Sequence, residues 1–203
     1  TVNLGQGLIQ WQTISFTKGR NVLGIKRQAA PLRPYRSAGE FNFHRGAGVS
    51  LQKGNWCTTL FLSYQKISSN AASDTTSQEE DLFTSFENSG YHRTANEIAD
   101  RNNNRQFSAG GNLVYDKPRF NMSVNFTHFG FSKSFQKEDL PYNLYSFKGR
   151  SLTNISFSYG YTLRNMHWFG ELAVDQARHP AWVQGVLMSL GTALAFSLLY
   201  RNI

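Results

Sequence analysis

Cysteine is almost missing from this chain. Cys57 stands alone among 203 residues, which removes any intrachain disulfide and any zinc site built on cysteines. Long apolar runs are missing too: no stretch reaches the ~18 residues that a membrane-crossing helix needs, and the mean hydropathy is -0.44. Signatures of catalysis are equally scarce. His44, His92, His128, His167 and His179 are scattered without metal-ligand spacing, and no His-x-x-x-His, Gly-x-Ser-x-Gly elbow, phosphate-binding glycine loop or dinucleotide fingerprint occurs. The expectation is a protein without catalytic residues, metal or cofactor, and not an enzyme. The first residues, Thr1-Val2-Asn3-Leu4-Gly5, lack the basic and apolar regions of a signal peptide, so the export address of an exported protein is expected either to have been removed or to lie upstream.

What the chain does have is unusual for a water-soluble globule. Aromatics make up 14% of it, with 16 Phe, 9 Tyr and 4 Trp, against only 17% charged residues. The charges are unbalanced, with 21 Lys and Arg against 13 Asp and Glu and a net +8, which suits nucleic acid, anionic lipid or an arginine-rich polar lumen.

The apolar residues alternate. In 150 to 163, Ile155, Phe157, Tyr159, Tyr161 and Leu163 share one face, and Asn154, Ser156, Ser158, Gly160 and Thr162 share the other. Period two over this length means strand. Phe120, Met122, Val124 and Phe126 repeat the pattern opposite Asn121, Ser123, Asn125 and Thr127, and Phe107, Ala109, Leu113 and Tyr115 form the strand before the Asp116-Lys117-Pro118 turn. Further strands are expected at about 45 to 53, 56 to 68, 166 to 176, 183 to 190 and 194 to 202, with a less regular one near 4 to 17. Turns such as Gly54-Asn55 and Arg164-Asn165 are short, whereas 69 to 104 and 133 to 149 are long.

Short turns at one rim and long loops at the other, with Trp56, Tyr64, Tyr115, Tyr159, Tyr161, Trp168 and Tyr200 near strand ends, describe an all-β, antiparallel up-and-down transmembrane β-barrel. The expected domain organisation is one barrel segment over 1 to 203. About nine strands is an odd number, so the barrel is expected to be incomplete, with short helices in the long loop.

Three regions stand out as candidate sites. Residues 18 to 45 carry Lys18, Arg20, Lys26, Arg27, Arg33, Arg36 and Arg45 against one acid, Glu40, and are interrupted by Pro31 and Pro34. A basic loop or plug is therefore expected at 18–44, with Arg27, Arg33, Arg36 and Arg45 facing the lumen, or else a merely solvated loop. Glu171 and Asp175 fall on the face opposite Trp168, Leu172 and Val174, as lumen acids would. The loop at 69–104 contains two capping sequences, Ser77-Gln78-Glu79-Glu80 leading into a helix through Leu82, Phe83 and Phe86 to Gly90, and Thr94-Ala95-Asn96-Glu97. His92, Arg93 and Glu97 are the loop candidates.

Several stretches resemble a family of large outer-membrane proteins of Bacteroidota that carry a competence-type helix-hairpin-helix region upstream of a barrel. They are Gly5-Gln6-Gly7-Leu8 with Trp11, Arg33-Pro34-Tyr35-Arg36-Ser37 with Arg45-Gly46, Ser89-Gly90-Tyr91-His92-Arg93-Thr94 with Glu97-Ile98-Ala99, and Leu198-Leu199-Tyr200-Arg201-Asn202. The resemblance implies an internal barrel fragment in the outer membrane of a Gram-negative bacterium. The function expected is a porin-like pore or uptake component, with outer-membrane lipids and an anionic solute as partners. The alternative is a DNA-binding or DNA-uptake surface protein.

Overall fold

A computed structural model of the chain describes residues 2–9, 26, 30–36, 43–71, 82–87, 90–137, 140–144, 146–191 and 194–202. The elements are β1 (Gly46–Lys53), β2 (Trp56–Ile67), β3 (Ser69–Ala71), β4 (Leu82–Phe86), α1 (Ala95–Ala99), β5 (Asn104–Lys117), β6 (Phe120–Phe135), β7 (Gly149–Leu163), β8 (Met166–Asp175), β9 (Pro180–Leu190) and β10 (Leu194–Asn202). The long strands pair antiparallel in the order β1-β2-β5-β6-β7-β8-β9-β10, and β3 and β4 branch off beside β6. The fold is thus all-β and up-and-down. Among the described residues no ladder joins β1 to β10, so the sheet is open.

Its strands are staggered. Following paired residues across the sheet from Trp56, the first residue of β2, leads through Tyr115, Met122, Tyr159, Gly170 and Gln184 to Tyr200, the seventh residue of β10. A steady drift of this kind is the shear that tilts strands in a barrel wall.

The two faces are inverted relative to those of a soluble sheet. Phe157 is 44% exposed and Val124 49%, while their neighbours Ser156 and Asn125 are 2% and 0% exposed. The same holds on β2, where Leu60, Leu62 and Tyr64 are exposed and Thr59, Ser63 and Gln65 are buried. Rings are laid over glycines across the ladder: a Cβ on Gly110 would meet the Phe61 ring at 2.7 Å, so only glycine lets that ring lie flat on the inner face.

Among the described residues a cluster of buried aromatic and aliphatic side chains forms at the long-loop rim, and a smaller apolar cluster gathers around Leu4 and Ile9. Ile67, Phe129, Phe131 and Phe135 from the ends of β2 and β6 enclose Phe83 of β4, with Phe86, Phe147 and Leu152 packed around them. The ring centroids of Phe83 and Phe135 are 5.0 Å apart, and those of Phe83 and Phe131 are 5.8 Å apart. This cluster corrects the helix expected through Leu82, Phe83 and Phe86: the segment is a strand, because pairing beside β6 at Ser134 and Phe135 puts Phe83 into the cluster. The capping sequence at 77–80 lies outside the described residues. The second capping box is present, with Thr94 Oγ1 accepting from the Glu97 N–H and the Glu97 carboxylate accepting from the Thr94 N–H, and it starts α1.

The strand expected near 4 to 17 is also corrected. Residues 5–6 form a turn and 7–9 bend; among the described residues of this stretch the β-pairing is an isolated bridge between Val2 and Leu32, and 10–17 lie outside the described residues.

Because Phe83 is fully buried and ringed by aromatics, Phe83→Ala is expected to remove about 3–5 kcal/mol from the packing of the 69–104 segment. Limited proteolysis and amide exchange should show β4 and α1 opening while β5 to β8 keep their protection.

Candidate functional site

The concave side of the sheet carries polar residues that bond to one another in a line. Asn112 Nδ2 of β5 donates to Asn125 Oδ1 of β6 at 3.2 Å, and Asn125 Nδ2 donates to Ser156 Oγ (3.1 Å) and Ser158 Oγ (3.0 Å) of β7. Ser156 Oγ then donates to Glu171 Oε1 of β8 at 2.6 Å. Four neighbouring strands are linked through side chains as well as through their ladders.

The line ends on residues 2–9. Glu171 Oε2 accepts from the backbone N–H of Gln6 at 2.7 Å and of Leu8 at 3.3 Å. Gly5 (φ 58°) and Gly7 (φ 104°) occupy conformations that L side chains rarely adopt, and this turns the N–H groups of Gln6 and Leu8 toward one point. Such a backbone nest is an anion-binding concavity; here the anion is a carboxylate of the chain itself. A Cβ on Gly5 would collide with the Glu171 carboxylate, so both the twist and the space demand glycine. On the far side, Ile9 O accepts from Thr127 Oγ1 (3.0 Å) and Asn154 Nδ2 (3.4 Å). Leu4 and Ile9, both 0% exposed, pack with Phe61 and Ala173. Residues 2–9 therefore fill the hollow of the sheet.

The basic segment reaches the same hollow at Lys26, whose Nζ donates to His167 Nε2 at 2.7 Å; His167 Nδ1 in turn shares a 2.7 Å hydrogen bond with Thr162 Oγ1. Arg27 lies outside the described residues. Arg33 lines a cleft of about 240 Å³ with Val2, Leu32, His44, Gly48 and Phe61, and Arg36 is exposed. Burial of His44 in that cleft pushes its imidazole down to about 4, so the ring is neutral at neutral pH.

At the long-loop rim, Arg45 and His92 do come together. They line a cleft of about 770 Å³ with Tyr35, Phe43, Tyr64, Lys66, Glu87 and Arg101. Arg45 also sits over the Phe43 ring, 5.3 Å from its centroid. Arg93 stacks on Tyr91 at 4.1 Å, and the N–H groups of Arg93 and Thr94 hold the Glu97 carboxyl below the usual carboxylate range. His92, Arg93 and Glu97 thus serve the cap of α1, with His92 Nδ1 3.1 Å from Glu97 O. Asp175 sits at the rim, where it binds His179 through the backbone N–H (2.8 Å) and the ring (2.9 Å).

Among the described candidates chosen from sequence, Glu171 is buried on the inner face, Arg45 and His92 share the rim cleft, His92, Arg93 and Glu97 gather at the cap of α1, and Arg33, Arg36 and Asp175 lie apart from these. Sequence reasoning missed the nest. Its signal was the spacing Gly5-x-Gly7, which reads equally well as a bend in a strand. Lys66 and Arg101 of the rim cleft were missed because residues 67–100 separate them in sequence. Among the described residues no three His, Cys, Asp or Glu side chains converge as metal ligands would.

Comparison with protein-family models, curated proteins and solved structures finds no match to this chain.

Glu171→Gln keeps the shape of the side chain but removes the charge that the nest surrounds. Losing charge-assisted hydrogen bonds worth about 1.5–3 kcal/mol should raise amide exchange at Gln6 and Leu8 roughly 10- to 150-fold. Unchanged exchange at those two amides would mean that the carboxylate does not hold the segment.

Proposed function

We propose that this chain is a wall of a transmembrane β-barrel in a bacterial outer membrane, working as a pore or uptake component whose interior is stopped by residues 2–9. One observation carries the reading: the long strands expose Leu, Val, Ile and Phe on one face and bury Ser, Thr, Asn and Glu on the other. In water that arrangement forfeits the hydrophobic driving force. In a bilayer it is the favoured one, because the outer face meets acyl chains while the inner face meets a polar lumen.

The heights fit as well. At the short-turn rim, Trp56, Tyr115, Phe120, Tyr161 and Trp168 all belong to the outward face, within the first or last three residues of their strands. Toward the long-loop rim, Tyr64, Phe107, Trp182 and Tyr200 also belong to the outward face, within four residues of a strand end. The stretch from Trp56 to Tyr64 covers about 27 Å of strand at ~3.4 Å per residue, or about 21 Å of height at a tilt near 40°, close to the ~25 Å apolar band of such barrels. Aromatic girdles bound the band in the same way.

With residues 2–9 in place, the hollow is occupied by Leu4 and Ile9 and latched on Glu171. Passage of a solute requires that latch to move. The basic side chains of the rim cleft favour anionic solutes at the long-loop mouth.

Two measurements test the reading. Phe157→Arg, at the middle of the outward face, should cost about 2–4 kcal/mol of folding stability in lipid vesicles, read as a loss of folded, heat-modifiable protein. An equally stable variant would count against lipid contact. In planar bilayers the full protein should conduct weakly, and Gly5→Ala should raise its conductance by displacing residues 2–9; no conductance from either would remove the pore.

A further inference from the structure

On the outward face, the apolar band ends at the long-loop rim in a fixed sequence of layers. Leu62 pairs with Ala109, then Tyr64 with Phe107, then Lys66 with Arg105. Leu62, Tyr64, Phe107, Lys66 and Arg105 are all exposed. Lys66 and Arg105 are thus like charges held directly opposite one another on neighbouring strands, a placement that destabilises a sheet unless something between them is negative. No ion pair joins either of them to a described carboxylate. Arg45 and Arg101 line the cleft that Tyr64 and Lys66 open into.

We propose that this corner binds the phosphate of an anionic lipid, with Lys66 and Arg105 bridged by the phosphate oxygens. Arg45 and Arg101 extend the contact into the 770 Å³ cleft, and the acyl chains run down Tyr64, Phe107, Leu62 and Leu60. Two adjacent cations match a doubly charged phosphate better than a lone carboxylate, since each oxygen accepts a charge-assisted hydrogen bond. The apolar strip directly below favours a lipid over a free anion or a nucleic acid, because neither of those would use Leu60 and Leu62. Aromatic residues between apolar and cationic layers are what the headgroup boundary selects.

The inference rests on the membrane reading above, and the experiment separates the two. The full protein, and a Lys66→Gln/Arg105→Gln variant, are reconstituted in nanodiscs of zwitterionic lipid alone or with a phosphatidic acid fraction. Native mass spectrometry after detergent release counts retained lipid. Wild type should retain phosphatidic acid over zwitterionic lipid, and the double variant should lose that preference roughly 30-fold, as expected for two cations removed from an anionic headgroup. The variant should fold as wild type does, since relieving a like-charge pair does not weaken the sheet. Equal retention of both lipids by wild type, or undiminished preference in the variant, overturns the site. Inorganic phosphate or a single-stranded oligonucleotide that displaces phosphatidic acid at matched phosphate concentration also overturns it, because a lipid site requires the acyl contacts. Failure of the protein to enter the nanodisc at all would instead reject the membrane reading.

Discussion

Everything inside this sheet depends on the hydrogen-bonded line that runs from Asn112 through Asn125 and Ser156 to Glu171 and ends on the N–H groups of Gln6 and Leu8. Polar side chains cost free energy when taken from water unless their partners are supplied. Here each strand supplies a partner for the next. The last member is a carboxylate buried to 2% exposure, and the nest at Gly5 to Leu8 completes it. The bonds that complete Glu171 therefore also hold residues 2–9 against the inner face, although Asn112 Oδ1, Gln65 Oε1, Asn104 Nδ2 and Gln106 Nε2 on that face stay buried without a partner among the described residues.

The other face contributes cross-strand pairs such as Trp56 on Tyr115, with ring centroids 4.8 Å apart. Its leucines, phenylalanines and valines touch no core, and the aromatic cluster around Phe83 lies beyond them at one rim. The sheet is held by its strand ladders, by the polar line and by the two buried apolar clusters; in the proposed membrane reading, the outward face selects the surroundings. In that reading the inversion joins sequence to function: alternation makes strands, and the buried half is largely polar.

The long strands were legible because period two is a local property. Eight of the nine expected strands appear, with ends displaced by a few residues and with β6 running on to Phe135. Which face would be buried was not legible from periodicity, since Ile155 and Ser156 alternate identically in either orientation. Loop lengths and rim aromatics tipped the choice. The misread elements have a common cause in long-range contacts. Leu82, Phe83 and Phe86 have helical spacing, yet pairing beside β6 makes them a strand. Leu4 to Ile9 look like a poor strand, yet Glu171, over 160 residues away, shapes them into a nest. Of the candidate site residues, Glu171 was found through its strand face. The cluster of Arg45, Lys66, Arg101 and Arg105 needs the β2–β5 ladder before it exists.

The claim that bears the most weight is the surroundings of the outward face. Single cysteines at positions 157 and 154, in a Cys57→Ser background, place a fluorescent probe on opposite faces of β7 in the reconstituted protein. The account predicts that brominated acyl chains quench the probe at 157 and leave the one at 154 bright. A probe at 157 that aqueous iodide quenches, with no response to brominated lipid, would contradict it.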